Sequence, residues 1–114
     1  MKLFVYGTLK SGQENHHYCA GVLSKEPARI EGRLFDYGEY PALVLGGGVV
    51  HGELLTFEND DVLEVLDEIE EVHNGVYERS LHPVYVGVKT EEAWVYHQTA
   101  VTEGDYLPEG RWPQ

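Results

Sequence analysis

One stretch alone, NDDVLEVLDEIEE at residues 59–71, carries a sustained helical period. At about 100° per residue, Val62, Leu63, Val65, Leu66 and Ile69 form one continuous apolar face. Nearly everything else alternates in twos, or runs apolar for a few residues before a glycine, which is the pattern of strands. A chain with one helix and about six strands has few ways to bury both. The expectation is a sheet that curls on itself into a small barrel, with the helix beside it. The expected fold is α+β: a small mixed, mainly antiparallel β-barrel of about six strands with one main helix.

The elements can be placed along the chain. Residues 2–6 predict a strand, followed by a glycine-containing loop and a short helix around Asn15 to Leu23. In ARIEGRLFDYG, Ile30, Gly32 and Leu34 alternate with Arg29, Glu31 and Arg33, the period of a half-buried strand. YPALVLGGGVVHGELLTF predicts two strands reversing through Gly46, Gly47 and Gly48, since consecutive glycines supply the positive φ of a tight turn. Asn59 or Asp60 caps the helix, with acids in its first turn where the dipole favours them. YERSLHPVYVG and EEAWVYHQT predict two more strands, with Lys89, Thr90 and Glu91 at the turn between them. Pro83 predicts an edge or a bulge in the first of these, and EGDYLPEGRWPQ reads as loop.

The helix carries an anomaly. Glu64, Asp67, Glu68 and Glu71 fall outside the apolar face, but Glu70 lies seven positions after Leu63 and four after Leu66, on the same stripe. A carboxylate there either reaches water at the helix end, meets a cation, or carries a pKa raised by desolvation. The last case describes a general base tuned toward neutrality.

A second feature is the run Tyr6-Gly7-Thr8-Leu9 straight after the first strand. It is either a plain chain reversal or a place where backbone N–H groups converge on an anion or a developing oxyanion, with the threonine hydroxyl as a further donor. No second glycine follows until Gly12 and no Lys-Ser pair closes the loop, so the pattern does not match a nucleotide-phosphate loop.

Composition narrows the partners. With 114 residues the chain has the length of one domain, 1–114. Its 20 acidic residues against 8 basic ones give a net charge of −12, which repels nucleic acid and anionic membranes. Cys19 is the only cysteine, which precludes an internal disulfide and reads as a buried structural thiol. The apolar run Leu3 to Tyr6 is too short for a secretory core, and no stretch approaches membrane-spanning length. A cytoplasmic location is the expectation. His16 and His17 are adjacent, and His51, His73, His82 and His97 fall on separate elements, so no metal set is predicted and no cofactor is called for.

FVYGTLKSGQENHH, YPALVL, VHGELLTF and LDEIEEVHNGVYER, in that order, resemble the gamma-glutamylcyclotransferase-like family, most closely its small members such as gamma-glutamylamine cyclotransferase. The resemblance spans nearly the whole chain. It implies that Tyr6, Gly7, Thr8 and Leu9 line the pocket and hold a glutamyl head group, and that the catalytic glutamate is Glu70. It also implies that Tyr77 borders the pocket. Arg79 matches a basic position of the family, for which pairing with an acid is the simpler role. Many relatives carry glycine directly after the catalytic glutamate, where this chain has Glu71. That second acid either raises the pKa of Glu70 or lies outside at the helix end.

The implied reaction needs no metal or cofactor. The α-amino group of a γ-glutamyl amine or γ-glutamyl amino acid attacks its own γ-carbonyl, releasing 5-oxoproline and the free amine, with Glu70 as general acid and base. A non-catalytic protein that binds such a metabolite, and a hydrolase that yields glutamate, are the alternatives. Tyr106 and Trp112 of the tail either close over the pocket or pack on the barrel.

Overall fold

The computed structural model describes residues 1–100 and 103–113. Six strands and one α-helix follow in the order β1 (Lys2–Val5), β2 (Ser24–Asp36), β3 (Pro41–Thr56), α1 (Val62–Ile69), β4 (Glu78–Val86), β5 (Lys89–His97) and β6 (Asp105–Leu107). The strand order β3-β1-β5-β4-β2 returns to β3 through a β2–β3 pairing, which closes a five-stranded barrel. β6 is appended to β2, with Leu34 opposite Leu107. Every pairing is antiparallel except that of β1 with β5, where Leu3 lies beside Trp94 and Phe4 beside Val95. The barrel, its mixed sheet and its single helix agree with the expected fold class.

β1 is short, yet its residues face two cores. Phe4 joins the barrel interior with Ile30, Leu34, Leu54 and Val95. Leu3 and Val5 face outward into a second cluster with Leu55, Leu63, Leu66 and Tyr96. The helix lies over this outer cluster, with Leu66 fully buried. Burying a leucine contributes about 2 kcal/mol, so two such contacts hold α1 on the wall. Val65, placed by periodicity on the apolar face, is 47% exposed. At about 100° per residue Val65 lies on the far edge of the stripe, a quarter turn or more from the buried Leu66 and nearly opposite Leu63.

In β2 the predicted alternation holds, with Ile30, Gly32 and Leu34 buried and Arg29, Glu31 and Arg33 exposed. Gly46 to Gly48 do not reverse the chain. β3 runs through them, and the register with β2 jumps from Glu31 opposite Val49 to Gly32 opposite Leu45. Gly46 and Gly47, at φ 82° and 84°, form a bulge that bends the long strand so that its far half can pair with β1. The reversal into β3 lies earlier, where the Tyr37 N–H donates to the Tyr40 carbonyl at 3.0 Å.

Other boundaries also shift. The helix predicted at Asn15 to Leu23 is a single 3-10 turn, His16–Cys19. Asp61 occupies the cap position of α1 without a side-chain bond, while the Asn59 carboxamide accepts from the Asp61 N–H at 3.0 Å. The β4–β5 turn lies at Gly87 and Val88, because Lys89 already pairs with Val86. Pro83 sits opposite Glu92 in an unbroken register, so it makes no bulge. β4 meets β2 only at Tyr85 opposite Arg29, which leaves Pro83 on an edge. The tail is part strand, and Trp112 is buried in the barrel core, its indole N–H donating to Asp36 at 3.0 Å. It packs on the barrel, while Tyr106 is exposed beside Phe35. Gln114, the last residue of that segment, lies outside the described residues.

A polar tie joins helix to sheet. Arg79 grips Asp67 with two bonds, Nε to Oδ1 at 2.7 Å and a terminal amino group to Oδ2 at 3.0 Å. Tyr96 adds its hydroxyl at 2.7 Å, and the guanidinium rests 4.4 Å from the centre of the Trp94 ring. Burial alone would raise the Asp67 carboxyl, but the bonds from Arg79 and Tyr96 outweigh it and hold it below its ordinary 3.8. A carboxylate with a depressed folded-state pKa stabilises above its unfolded value and loses that contribution as pH falls. Arg79→Leu strands the Asp67 charge, so denaturant titration is expected to show a loss of about 2 kcal/mol at pH 7. The loss shrinks as pH falls below the ordinary carboxylate value, because the stabilisation held by a depressed pKa fades there.

Candidate active site

Three segments far apart in sequence meet around a cavity of about 250 Å³. β1 delivers Tyr6, Gly7, Thr8 and Leu9 to one side, the end of α1 brings Ile69, Glu70 and Glu71, and Tyr40, Pro41, Tyr77 and Tyr96 complete the wall. All the residues singled out in sequence as site candidates, Tyr6 to Leu9, Glu70 and Tyr77, line this one space.

Gly7 is required there by contact and not by an unusual φ. A Cβ on it would fall 2.6 Å from Cγ of Pro41, so any larger residue drives the loop off the wall. Pro41 is itself fixed from the other side, because its carbonyl accepts the Tyr77 hydroxyl at 2.6 Å. The Tyr6 hydroxyl likewise donates to the Tyr96 carbonyl at 2.6 Å. Both phenols are spent on the backbone and held neutral. Burial, helped by Glu70 and by the other tyrosines, puts each far above its ordinary value.

The loop beyond is pinned from below. Asn15 donates to Thr8 twice, from its backbone N–H to the carbonyl at 2.8 Å and from its side chain to Oγ1 at 3.1 Å. Thr8 thus keeps its own hydroxyl proton for another acceptor. His16 Nδ1 lies 2.8 Å from the Leu9 carbonyl, and the buried Cys19 thiol lies beneath the same oxygen at 4.0 Å. Burial pushes that thiol up to about 11, which matches the structural role expected of it. Among the described residues, no protein acceptor takes the N–H groups of Gly7, Thr8 or Leu9.

Glu70 closes α1, its N–H donating to the Leu66 carbonyl at 2.9 Å. Among the described residues nothing hydrogen-bonds its carboxylate, and burial among tyrosine rings and Pro41 raises its pKa from 4.5 to about 7. Glu71 is not among the causes. It turns the chain out of the helix in a left-handed conformation, φ 52°, the only non-glycine residue so placed among the described ones. For such a side chain that costs about 1 kcal/mol, and glycine would relieve it. Arg79 makes its pair with Asp67, three positions before Glu70 in the same segment.

Pro41, Tyr40, Tyr96, Glu14 and Glu39 also line the cavity and were not singled out in sequence. Pro41 lay in view inside YPALVL, but only its approach to Gly7 reveals its use. A second polar group also escaped the sequence. The β4–β5 hairpin places the Ser80 hydroxyl 2.9 Å from Nε2 of His82 and 2.7 Å from Nε2 of His97, although none of the three lines the cavity. Burial, then His82, lowers the His97 pKa.

Across this cavity a desolvated carboxylate faces backbone donors that no acceptor among the described residues takes, an arrangement suited to a small polar ligand. The model of the family "Gamma-glutamyl cyclotransferase, AIG2-like" matches residues 3–114, and the chain belongs to that family. It is 35% identical to the gamma-glutamylcyclotransferase family protein ytfP of Citrobacter rodentium, over 98% of this chain and 95% of that one. It is 44% identical to the gamma-L-glutamyl-butirosin B gamma-glutamyl cyclotransferase of Niallia circulans, over 92% of this chain and 69% of that one. The crystal structure of an AIG2-like protein from Mus musculus superposes with a TM-score of 0.74 at 29% identity, covering 90% of this chain and 80% of that one. Membership supports a cyclotransferase activity on small γ-glutamyl molecules. No helix among the described residues is long and apolar enough to cross a membrane.

The raised pKa of Glu70 has a consequence for stability. Its folded form binds a proton more tightly than its unfolded form, so the site is at ease below pH 4.5 and strained once pH passes 7. Glu70→Gln removes that charge. Denaturant titrations are expected to show the variant more stable than wild type by on the order of 2 kcal/mol at pH 8, and equal to it at pH 4.

Proposed function

We propose that this protein is a γ-glutamyl cyclotransferase in which Glu70 is the general acid and base. The observation that carries the reading is the Glu70 carboxyl, brought to about 7 by burial, beside a loop whose N–H groups have no protein partner among the described residues. Family membership and the named activity of the Niallia circulans relative support it.

The α-ammonium of a γ-glutamyl compound is inert until it loses a proton. A carboxylate at about 7 instead of 4.5 makes that transfer less uphill by about 3 kcal/mol. The freed nitrogen attacks the γ-carbonyl, a C–N bond forms, and the oxygen gathers negative charge. Backbone N–H groups of Gly7, Thr8 and Leu9, with the Thr8 hydroxyl, hold the substrate carboxylate or this oxyanion. When the γ-amide C–N bond breaks, Glu70 hands its proton to the leaving nitrogen. The attacking nitrogen gives up its second proton as the ring closes, so the products are 5-oxoproline and the amine as its ammonium, and no water is consumed. The neutral tyrosines shape the cavity so that an extended chain folds back on itself, which is where an intramolecular reaction gains most.

Incubation with γ-glutamyl amines and γ-glutamyl amino acids is expected to release 5-oxoproline. Glu70→Gln is expected to lower kcat/KM by about 10² to 10⁴ while the protein stays folded. The wild-type kcat/KM should rise with pH through a limb near 7. Free glutamate as the product would instead make the protein a hydrolase, and ligand binding without any product would make it a binding protein.

A further inference from the structure

A second hollow, of about 430 Å³, shares no residue with the first. Three segments meet at it. The loop after β1 delivers Lys10 and Ser11, β3 brings His51 and Glu53, and the tail supplies Arg111. The chain has only 8 lysines and arginines against 20 acids, yet two of the eight converge here with a histidine. None of the three backbones is loose. The Lys10 N–H donates to the Gly7 carbonyl at 3.0 Å, and the Lys10 carbonyl accepts from Gln13 at 3.0 Å. The His51 N–H donates to the Gly110 carbonyl at 2.8 Å, and the buried Trp112 pins the tail just past Arg111. The fold therefore gathers these cations, each from its own segment.

Like charges gathered in this way repel. Burial lowers the pKa of the Lys10 amine, and Arg111 lowers it further against the pull of Glu53. Burial, then Arg111 and Arg29, lowers that of His51. The protein offsets little of this. The ion pairs among the described residues, Lys2 with Glu91 and Arg79 with Asp67, involve none of the three. Glu53 is the one carboxylate on the wall of this hollow among the described residues, and one of its oxygens already accepts the Ser11 N–H at 2.7 Å. A dianion placed between the three would turn repulsion into attraction. Arg111 offers a fork of donors, Lys10 a point charge, and His51 a proton that it gains as the anion approaches.

We propose that this hollow is a second ligand site, one that takes a phosphate group, either free or as the monoester of a small molecule. Long polyanions are kept away by the charge of −12, whereas a single phosphate meets the local field alone, since more distant charges are screened. Lys10 closes the turn that begins at Gly7, so the ligand contacts the donor loop without entering the first cavity. The site does not rest on the cyclotransferase reading.

The test titrates the full chain at pH 7 and constant ionic strength with inorganic phosphate and with glycerol phosphate, using chloride as the control for screening. Calorimetry and the His51 ring resonances give the readout. Saturable binding of phosphate or of the monoester is expected, with the tighter of the two identifying the source. The bound anion should raise the His51 pKa, the other charges around the hollow, Lys10, Arg29, Glu53 and Arg111, being present in both states. Lys10→Gln and Arg111→Gln are each expected to weaken binding about threefold to tenfold. Glu53→Gln keeps the acceptor for Ser11 and removes the competing charge, so it is expected to tighten binding about threefold. Shifts that do not saturate, shifts that chloride reproduces, or a Kd unchanged across the three variants would overturn the site.

Discussion

The structure depends on β1 having two apolar faces. Four residues, Lys2 to Val5, close the barrel by pairing with β3 on one side and β5 on the other, and they separate the interior core from the helix-covered one. A strand buried on both faces cannot alternate polar and apolar residues, which is why Leu3, Phe4 and Val5 are apolar in succession. The same burial fixes where β1 must end. Its last residue hands the chain to Tyr6 and Gly7 at the cavity wall, so the donor loop is placed by the closure of the barrel and not by the loop's own preferences.

Helix and sheet are then held at a set distance by two kinds of contact. Leu63 and Leu66 press on the outer wall, and Asp67 is tied to Arg79 and Tyr96. Glu70 follows one turn later, at the first position where the helix no longer covers the sheet, so its side chain enters the gap between α1 and the β1 loop. Three acids in four positions, Asp67, Glu68 and Glu70, thereby meet three environments. Asp67 is paired and held acidic, Glu68 is solvated, and Glu70 is desolvated, without a partner among the described residues, and made basic. Residue type alone does not distinguish them.

Much of this was legible in the sequence. The helix phase singled out Glu70 because a period of 3.6 is enforced by backbone hydrogen bonds whatever surrounds it, and the alternation of β2 was readable for the same kind of reason. Features that depend on partners were not. Gly46 and Gly47 satisfy a turn and a bulge equally well, and only the demand that β3 reach both β2 and β1 decides for the bulge. The tail looked like loop because β6 has three residues and exists by virtue of β2 beside it. Val65 belongs to the apolar face by phase, yet stays at the surface because the wall covers only the side that Leu63 and Leu66 share.

The sequence by itself determined the strand character of most of the chain, the one helix and the acid lying on its buried side, since these follow from local periodicity and backbone geometry. Only the tertiary structure decided that this acid would be desolvated beside three tyrosines, that Pro41 would press on Gly7, and that Ser80, His82 and His97 would meet across a hairpin. It also assigned Glu71 to the cavity edge in a backbone conformation that its side chain resists. Those outcomes rest on contacts between residues distant in the chain, and the free energy of such a contact exists only once the barrel has closed.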